Sequence, residues 1–401
     1  MASDDELEWP ALGYETLPWV SRLGRGVAPR NQLRRHQGPY RAAVLPQIAR
    51  RRPVLANDVL AEAEDASNEI SRFDAEMSSE IAPFAAVLLR SESAASSQIE
   101  NLTASARAIA EAELGSSSRR NAAQIVANTR AMEAAVALAE KLDGEAVLAM
   151  HRALLEASDP AEAGRWRREQ VWVGGSSLGP HEADFVPPHH SRVEPAIDDL
   201  VDFMARNDLP ILMHAAIAHA QFETIHPFTD GNGRTGRALL HSMLRNKGLT
   251  RAITVPVSAG LLTDTAAYFD ALGSYRDGDP APMVRQLSQA SFNALANGRQ
   301  LVAELREIRA GWGARITARR DSAVWRVADL LMRRPVVNAP LLIRELGITS
   351  GNIYRHVDQL VDGGVLTEFT DQRRNRAWRA AEVLTALDSF AARAGRRRLS
   401  G

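Results

Sequence analysis

The feature that most constrains this chain is the run ETIHPFTDGNGRTGRALL, from Glu223 to Leu240. It joins two stretches of helical character, PILMHAAIAHAQFETI before it and GRTGRALLHSMLRNKG after it, the second closed by Gly248. His226 ends the first helix, and Pro227 biases it away from helical conformation, which presents the imidazole at a loop. Asp230 follows four residues later, close enough to share a site with His226. Gly231, Asn232 and Gly233 can turn the backbone so that successive N–H groups aim at one point. A helix begins at once, adding its positive terminus to the same spot. Arg234 and Arg237, three apart, can project from one face of its first turn.

A base, a carboxylate, an anion cradle and two cations in one run suit phosphate chemistry. The cradle and arginines would bind a polyphosphate, Asp230 would hold Mg2+ between phosphate oxygens, and His226 would accept a proton from an attacking hydroxyl. In-line displacement at phosphorus requires positioning and charge neutralisation, which this set supplies.

Bulk composition removes several other classes. The 401 residues are 45% apolar and 24% charged, an ordinary globular mixture long enough for two or three domains. The net charge of -1 gives no global attraction to nucleic acid or membrane, so any basic surface has to be local. There is no cysteine, hence no disulfide framework, thiolate metal site or cysteine nucleophile. The acidic start MASDDELEWP does not read as a secretory signal. The nearest approach to a membrane helix, ILMHAAIAHAQF, is interrupted by His214 and His219 and falls short of the ~18 apolar residues required. A cytoplasmic protein is the expectation.

Along the chain, a helical amino-terminal region is expected over 1–85, with helical periodicity running on from Ile81 to Leu114 and from Asn121 to Leu142. The texture changes in GRWRREQVWVGGSSLGPHEADFVPP, where QVWV and ADFV are short β-prone runs parted by glycines and ended by Pro187 and Pro188. They read as a β-hairpin flap on a helical body. A long helix leads out near Trp312. From Ser322, SAVWRVADLLMRRP and then NAPLLIRELGITSGNIYRHVDQLVDGGVL have the cadence of helix, turn, helix, followed by two short strands around DQRRNRAW. The expected boundaries are 86–318 for the catalytic core, 322–381 for the carboxy-terminal module and 382–401 for a basic tail.

HPFTDGNGR followed by Thr235, Gly236 and Arg237 resembles the Fic family pattern H-x-F-x-[D/E]-G-N-G-R-x-x-R at every constrained place. The resemblance implies a mainly α, Fic-type helical core and an enzyme that transfers AMP from ATP to a hydroxyl of a target protein. It assigns His226 as general base, Asp230 as magnesium ligand and Phe228 as the buried anchor of the loop. Gly231, Asn232 and Gly233 would hold the α- and β-phosphates with Arg234, and Arg237 would grip the γ-phosphate.

The flap would then dock the target segment by strand pairing through Val171, Trp172, Val173, Phe185 and Val186. SSQIEN is similar to the family's inhibitory motif [S/T]-x-x-x-E-[G/N], with Ser96, Glu100 and Asn101 at the fixed places. The resemblance implies that Glu100 pairs with Arg237 and removes the cation the γ-phosphate needs. Removal of AMP, another nucleotide donor, and a homodimer through the amino-terminal helices all stay open.

The carboxy-terminal module resembles a winged helix-turn-helix. Thr349 or Ser350 would cap its second helix, and Asn352, Tyr354 and Arg355 would lie near the exposed start. Ile353, Val357 and Leu360 would face the core, and Arg373, Arg374 and Arg376 would form the wing. DNA and a partner protein are both open as its ligand, since Asp358 and Asp362 would oppose phosphates if exposed. The reading that competes with an enzyme is a DNA-binding regulator whose core senses nucleotide; the target, a separate protein or the chain itself, is not legible.

Overall fold

A computed structural model describes residues 9–19, 29–78, 82–116, 118–319, 321–348, 350–370 and 376–395. The elements in chain order are β1 (Gly13–Leu17), α1 (Arg30–Arg35), β2 (Tyr40–Val44), α2 (Asn57–Ser78), α3 (Ala82–Ile99), α4 (Ala106–Glu113) and α5 (Arg120–Ala137). Then come α6 (Gly144–Leu155), α7 (Val193–Ala205), α8 (Ile211–Ile225), α9 (Asn232–Asn246), α10 (Val257–Leu261), α11 (Thr265–Arg276) and α12 (Ala281–Arg315). The last segment holds α13 (Ala323–Arg333), β3 (Val336–Asn338), α14 (Ala339–Leu346), α15 (Ser350–Asp362), β4 (Thr367–Glu368), β5 (Ala377–Arg379) and α16 (Ala381–Ala394). The architecture is mainly α, as expected. Among the described residues no helix is long and apolar enough to cross a membrane.

The chain forms two compact units, each discontinuous in sequence. One comprises Met1–Asp65, Ala134–Lys247 and Ala266–Leu287; the other comprises Ala66–Glu133, Gly248–Thr265 and Ser288–Gly401. The amino-terminal region is not purely helical: β1 and β2 pair antiparallel with Gly13 opposite Val44 and Leu17 opposite Tyr40.

The first unit is built around α8, whose residues from Leu212 to Ile225 are all buried. A helix buried on every side needs partners for each polar side chain it carries. His214 Nε2 meets the Phe203 carbonyl at 2.8 Å, Gln221 accepts the Tyr275 hydroxyl at 2.8 Å, and the Thr224 hydroxyl bonds back to Ala220. His219 bridges the Gly236 carbonyl and the Tyr268 hydroxyl, at 3.2 and 2.9 Å. Gly236 lets α9 approach α8 closely, because a Cβ there would lie 2.5 Å from Glu223 Oε1 and 2.8 Å from Phe222. The histidines that break the hydropathy of this run are therefore what tie α8 to its neighbours.

In the second unit, buried carboxylates collect main-chain donors. Asp74 accepts the amides of Arg251, Ala252 and Ile253, and Glu92 on α3 accepts the Ser258 amide at 2.8 Å and its hydroxyl at 2.5 Å. Asn128 on α5 donates to the Ser93 carbonyl and to Ser97 Oγ of α3. The helix expected to continue from Ile81 to Leu114 is cut at Asn101, which takes φ 60°. The Asn101 amide donates to Gln98 O at 2.9 Å and the Leu102 amide to Ser97 O at 3.0 Å, the two bonds of a Schellman cap. Helix α4 restarts with Ser105 Oγ and Asp388 accepting its first free amides.

The carboxy-terminal elements follow the order helix, strand, helix, helix, strand, strand, with β5 between β3 and β4. Ile353, Val357 and Leu360 are buried, and Asn352, Tyr354 and Arg355 are exposed, as the sequence pattern predicts. Thr349, Arg373 and Arg374 lie outside the described residues. The Arg376 guanidinium, just ahead of β5, forms a bidentate pair with Glu368 at 2.8 and 2.6 Å.

Candidate active site

Helix α8 ends at His226, which takes a left-handed conformation (φ 49°, ψ 61°). That bend swings the chain out of the helix ahead of Pro227. His226 Nδ1 lies 3.4 Å from the Glu223 carbonyl one turn back. Four residues on, Gly231 (φ 80°) turns the chain into α9. A Cβ on Gly231 would lie 2.9 Å from Leu154 of α6, so both the backbone angle and the packing exclude a side chain there.

Asn232 closes the loop. Its Oδ1 accepts the Phe228 amide at 2.8 Å and its Nδ2 donates to the Phe228 carbonyl at 2.9 Å. The first helical bond of α9 runs from the Thr235 amide to the Gly231 carbonyl. The amides of Asn232, Gly233 and Arg234 have no carbonyl to meet within the helix, an arrangement that suits an anion. Arg234 is buried, with Nη2 at 3.3 and 3.2 Å from the two oxygens of Asp230. Arg237 is buried one turn further along α9.

Asp230 is the exposed member, its side chain 69% accessible, with Oδ1 also accepting the Gly231 amide at 2.7 Å. Among the described residues no group of three or more metal-binding side chains comes together. A single exposed carboxylate beside an anion-binding helix terminus fits Mg2+ that completes its shell with phosphate oxygens and water.

The structure adds residues that the motif did not reveal. Gly164 donates its amide to His151 Nδ1 at 3.0 Å, so His151 Nε2 carries the proton and donates to the Asp230 carbonyl at 3.1 Å. Burial pushes the His151 pKa down to about 4, which keeps that tautomer neutral. Phe228, fully buried as expected, lies between His151 and Trp166, with ring centroids 3.6 and 5.2 Å away. Arg167 is buried and donates Nε to the His226 carbonyl at 2.8 Å. His151 and Arg167 lie 75 and 59 residues from His226, and no local periodicity links them to it.

The flap is more irregular than expected. One antiparallel bridge, Val173 to Phe185, replaces a ladder. Gly174 and Gly175 both take positive φ, and the carbonyl of Glu182 would lie 2.2 Å from a Cβ on Gly175, so the tip folds onto itself. Val186 does not pair across the flap; its carbonyl accepts the Ala43 amide of β2 at 3.0 Å. Phe185 is buried under the Arg276 guanidinium, 3.7 Å from the ring centroid. Val171 and Trp172 are half-buried and Val173 is exposed. In the second unit, Ser96 is buried within α3, while Glu100 and Asn101 are exposed at its end.

Residues 141–244 match the family model described as the Fic/DOC family. That segment holds α6 to α8, most of α9 and the whole run from His226 to Arg237, and it is similar to a Fic domain. Protein adenylyltransferase fic-1 of Caenorhabditis elegans is 37% identical over 150 residues, 36% of this chain and 26% of that protein. Protein adenylyltransferase Fic of Nematostella vectensis is 31% identical over 156 residues, 38% of this chain and 33% of that protein. The matched segment thus spans about a quarter to a third of these relatives' own length. A Fic family protein from Desulfovibrio desulfuricans G20 shares the fold, with TM-score 0.53 and 20% identity over 84% of this chain and 98% of that one.

Proposed function

We propose that this chain is an autoinhibited protein adenylyltransferase, transferring AMP from ATP to a hydroxyl side chain of a protein target and releasing pyrophosphate. The observation that carries the reading is the joint at His226–Arg237: a histidine turned out of α8 by a left-handed bend, facing a loop that Asn232 locks onto the open N-terminus of α9.

His226 Nε2 would take the proton of the target hydroxyl while its oxygen attacks the α-phosphorus. The bond from that phosphorus to the bridging oxygen breaks, and pyrophosphate leaves with the electron pair. The amides at the start of α9 and the buried Arg234 and Arg237 would hold the phosphates and stabilise charge in flight. Asp230 would hold Mg2+, which neutralises phosphate charge when bound. The limb Val171–Val173, exposed at Val173, would dock an extended target segment through its main chain.

Glu100 is assigned the inhibitory role through its motif, by competing for the cation that the γ-phosphate needs. Its setting supports a switch: a carboxylate at the negative end of α3 is disfavoured by the helix dipole and gains from a cationic partner.

As for the winged helix, the locked Arg376 and the exposed Asp358 and Asp362 on α15 favour a protein partner over DNA.

The test is transfer of label from α-labelled ATP with magnesium, read as self-modification. A weak wild-type signal should rise strongly in Glu100→Gly and vanish when His226→Ala is added. No label from any variant would overturn the reading, and release of AMP from a pre-modified protein would reverse the assigned direction.

A further inference from the structure

We propose that Arg167 is the positioning residue that sets the flap at a fixed distance from His226, so that one buried guanidinium couples target docking to proton removal. The inference rests on the adenylyltransferase reading for its kinetic consequence, but its structural basis stands apart from it.

All three arms of the Arg167 side chain end on main-chain carbonyls. Nε donates to His226 at 2.8 Å, Nη1 to Glu169 at 3.0 Å and Nη2 to Pro188 at 2.5 Å. Its own amide donates to the Pro227 carbonyl at 3.0 Å. Glu169 and Pro188 are the two stems of the flap, and His226 is the residue assigned as base. One planar fork therefore measures the separation of three chain segments.

The clamp matters because the two limbs of the flap are only weakly paired with each other. A single bridge, Val173 to Phe185, joins the limbs, and Pro187 and Pro188 have no amide to contribute to a ladder. A second pin lies nearby: Gln170 donates to the Pro187 carbonyl at 2.9 Å and accepts the Tyr40 hydroxyl at 3.0 Å. That pin reaches the flap alone and leaves His226 untouched, which makes it a built-in control.

The chemistry of the clamp is specific to arginine. None of the three acceptors is a carboxylate, and burial lowers the Arg167 pKa to about 10, so it remains a cation at neutral pH. A buried cation held only by carbonyl dipoles is a costly arrangement. Lysine carries three donors on one atom and cannot span three separated carbonyls in a plane. Displacing a docked hydroxyl from its base by ~1 Å can reduce the rate about a hundredfold.

The experiment compares Arg167→Met, Arg167→Lys and Tyr40→Phe in the Glu100→Gly background, using self-modification from labelled ATP and hydrogen exchange of the full chain. For Arg167→Met we expect a maximal rate about a hundredfold lower, with half-saturating ATP changed by less than about threefold. Amide protection should fall at 169–173 and 185–188 while that of α8 persists. Arg167→Lys should fall between, and Tyr40→Phe should loosen the flap with a smaller loss of rate. A wild-type rate in Arg167→Met, or in Arg167→Lys if the first variant does not fold, would overturn the proposal. So would loss of protection throughout α8, which would make Arg167 a core residue only. If the parent itself transfers no label, the adenylyltransferase reading fails, and the exchange pattern alone then decides whether Arg167 clamps the flap.

Discussion

The imidazole of His151 lies flat on the ring of Phe228, with centroids 3.6 Å apart and planes within 5°. The same imidazole donates to the Asp230 carbonyl, so one side chain of α6 holds both the apolar anchor and the polar end of the catalytic loop. Truncating the anchor should release both. Phe228→Ala is expected to destabilise the chain by about 3–5 kcal/mol, as for other fully buried aromatic residues. Urea unfolding checks this, and a loss below about 1 kcal/mol would show that the loop does not depend on the stack.

Acid should weaken the first unit through three histidines. Burial lowers the pKa of His151 and His214 from 6.5 to about 4 and that of His219 to about 3. The unfolded chain then binds protons that the folded chain refuses, so stability is full above the ordinary pKa of 6.5 and falls as pH drops toward 4. Each histidine should withdraw roughly 2 kcal/mol by pH 5. Denaturant midpoints measured from pH 7.5 to 5 test this; a flat profile would refute it.

Asn232 should be replaceable by neither alanine nor aspartate. Alanine removes both bonds to Phe228 and leaves a buried amide and carbonyl unpaired, at about 1–3 kcal/mol. Aspartate keeps the acceptor for the Phe228 amide but sets an oxygen against the Phe228 carbonyl and a negative charge at the anion site. Calorimetric titration with ATP and magnesium should show weakened binding in Asn232→Ala and weaker still in Asn232→Asp. The reverse order would place the anion site elsewhere.

The left-handed cap at Asn101 gives a physical reason for a Gly-or-Asn preference after Glu100. Asn101→Gly should keep the helix end and, with it, inhibition. A β-branched residue in that conformation is strained by about 1–2 kcal/mol, so Asn101→Val should fray the last turn of α3. The expected outcome is self-modification rising in the valine variant and not in the glycine one. Equal behaviour of the two would separate the cap from inhibition.

Much of the site was legible because its parts are neighbours in sequence. Phe228, Asp230, Gly231, Asn232 and Arg234 act across one turn of chain, where Pro227 and the glycines dictate local geometry. The buried face of α15 was legible for the same reason, through helical spacing of Ile353, Val357 and Leu360. The flap was read too regularly: β-prone runs on either side of a glycine pair describe a hairpin, but they do not reveal that Val186 bonds to β2 or that Phe185 is covered by Arg276. The break at Asn101 was missed because the apolar period continues on both sides of it.

By itself, then, the sequence determined the helical class, the order of the elements and the phosphate-directed loop, all of which follow from interactions within a few residues. Only the tertiary structure decided which distant groups hold that loop in place. His151 and Arg167 acquire their roles from burial beside specific carbonyls, and the cost of an unpaired polar group in the interior is set by what packs around it.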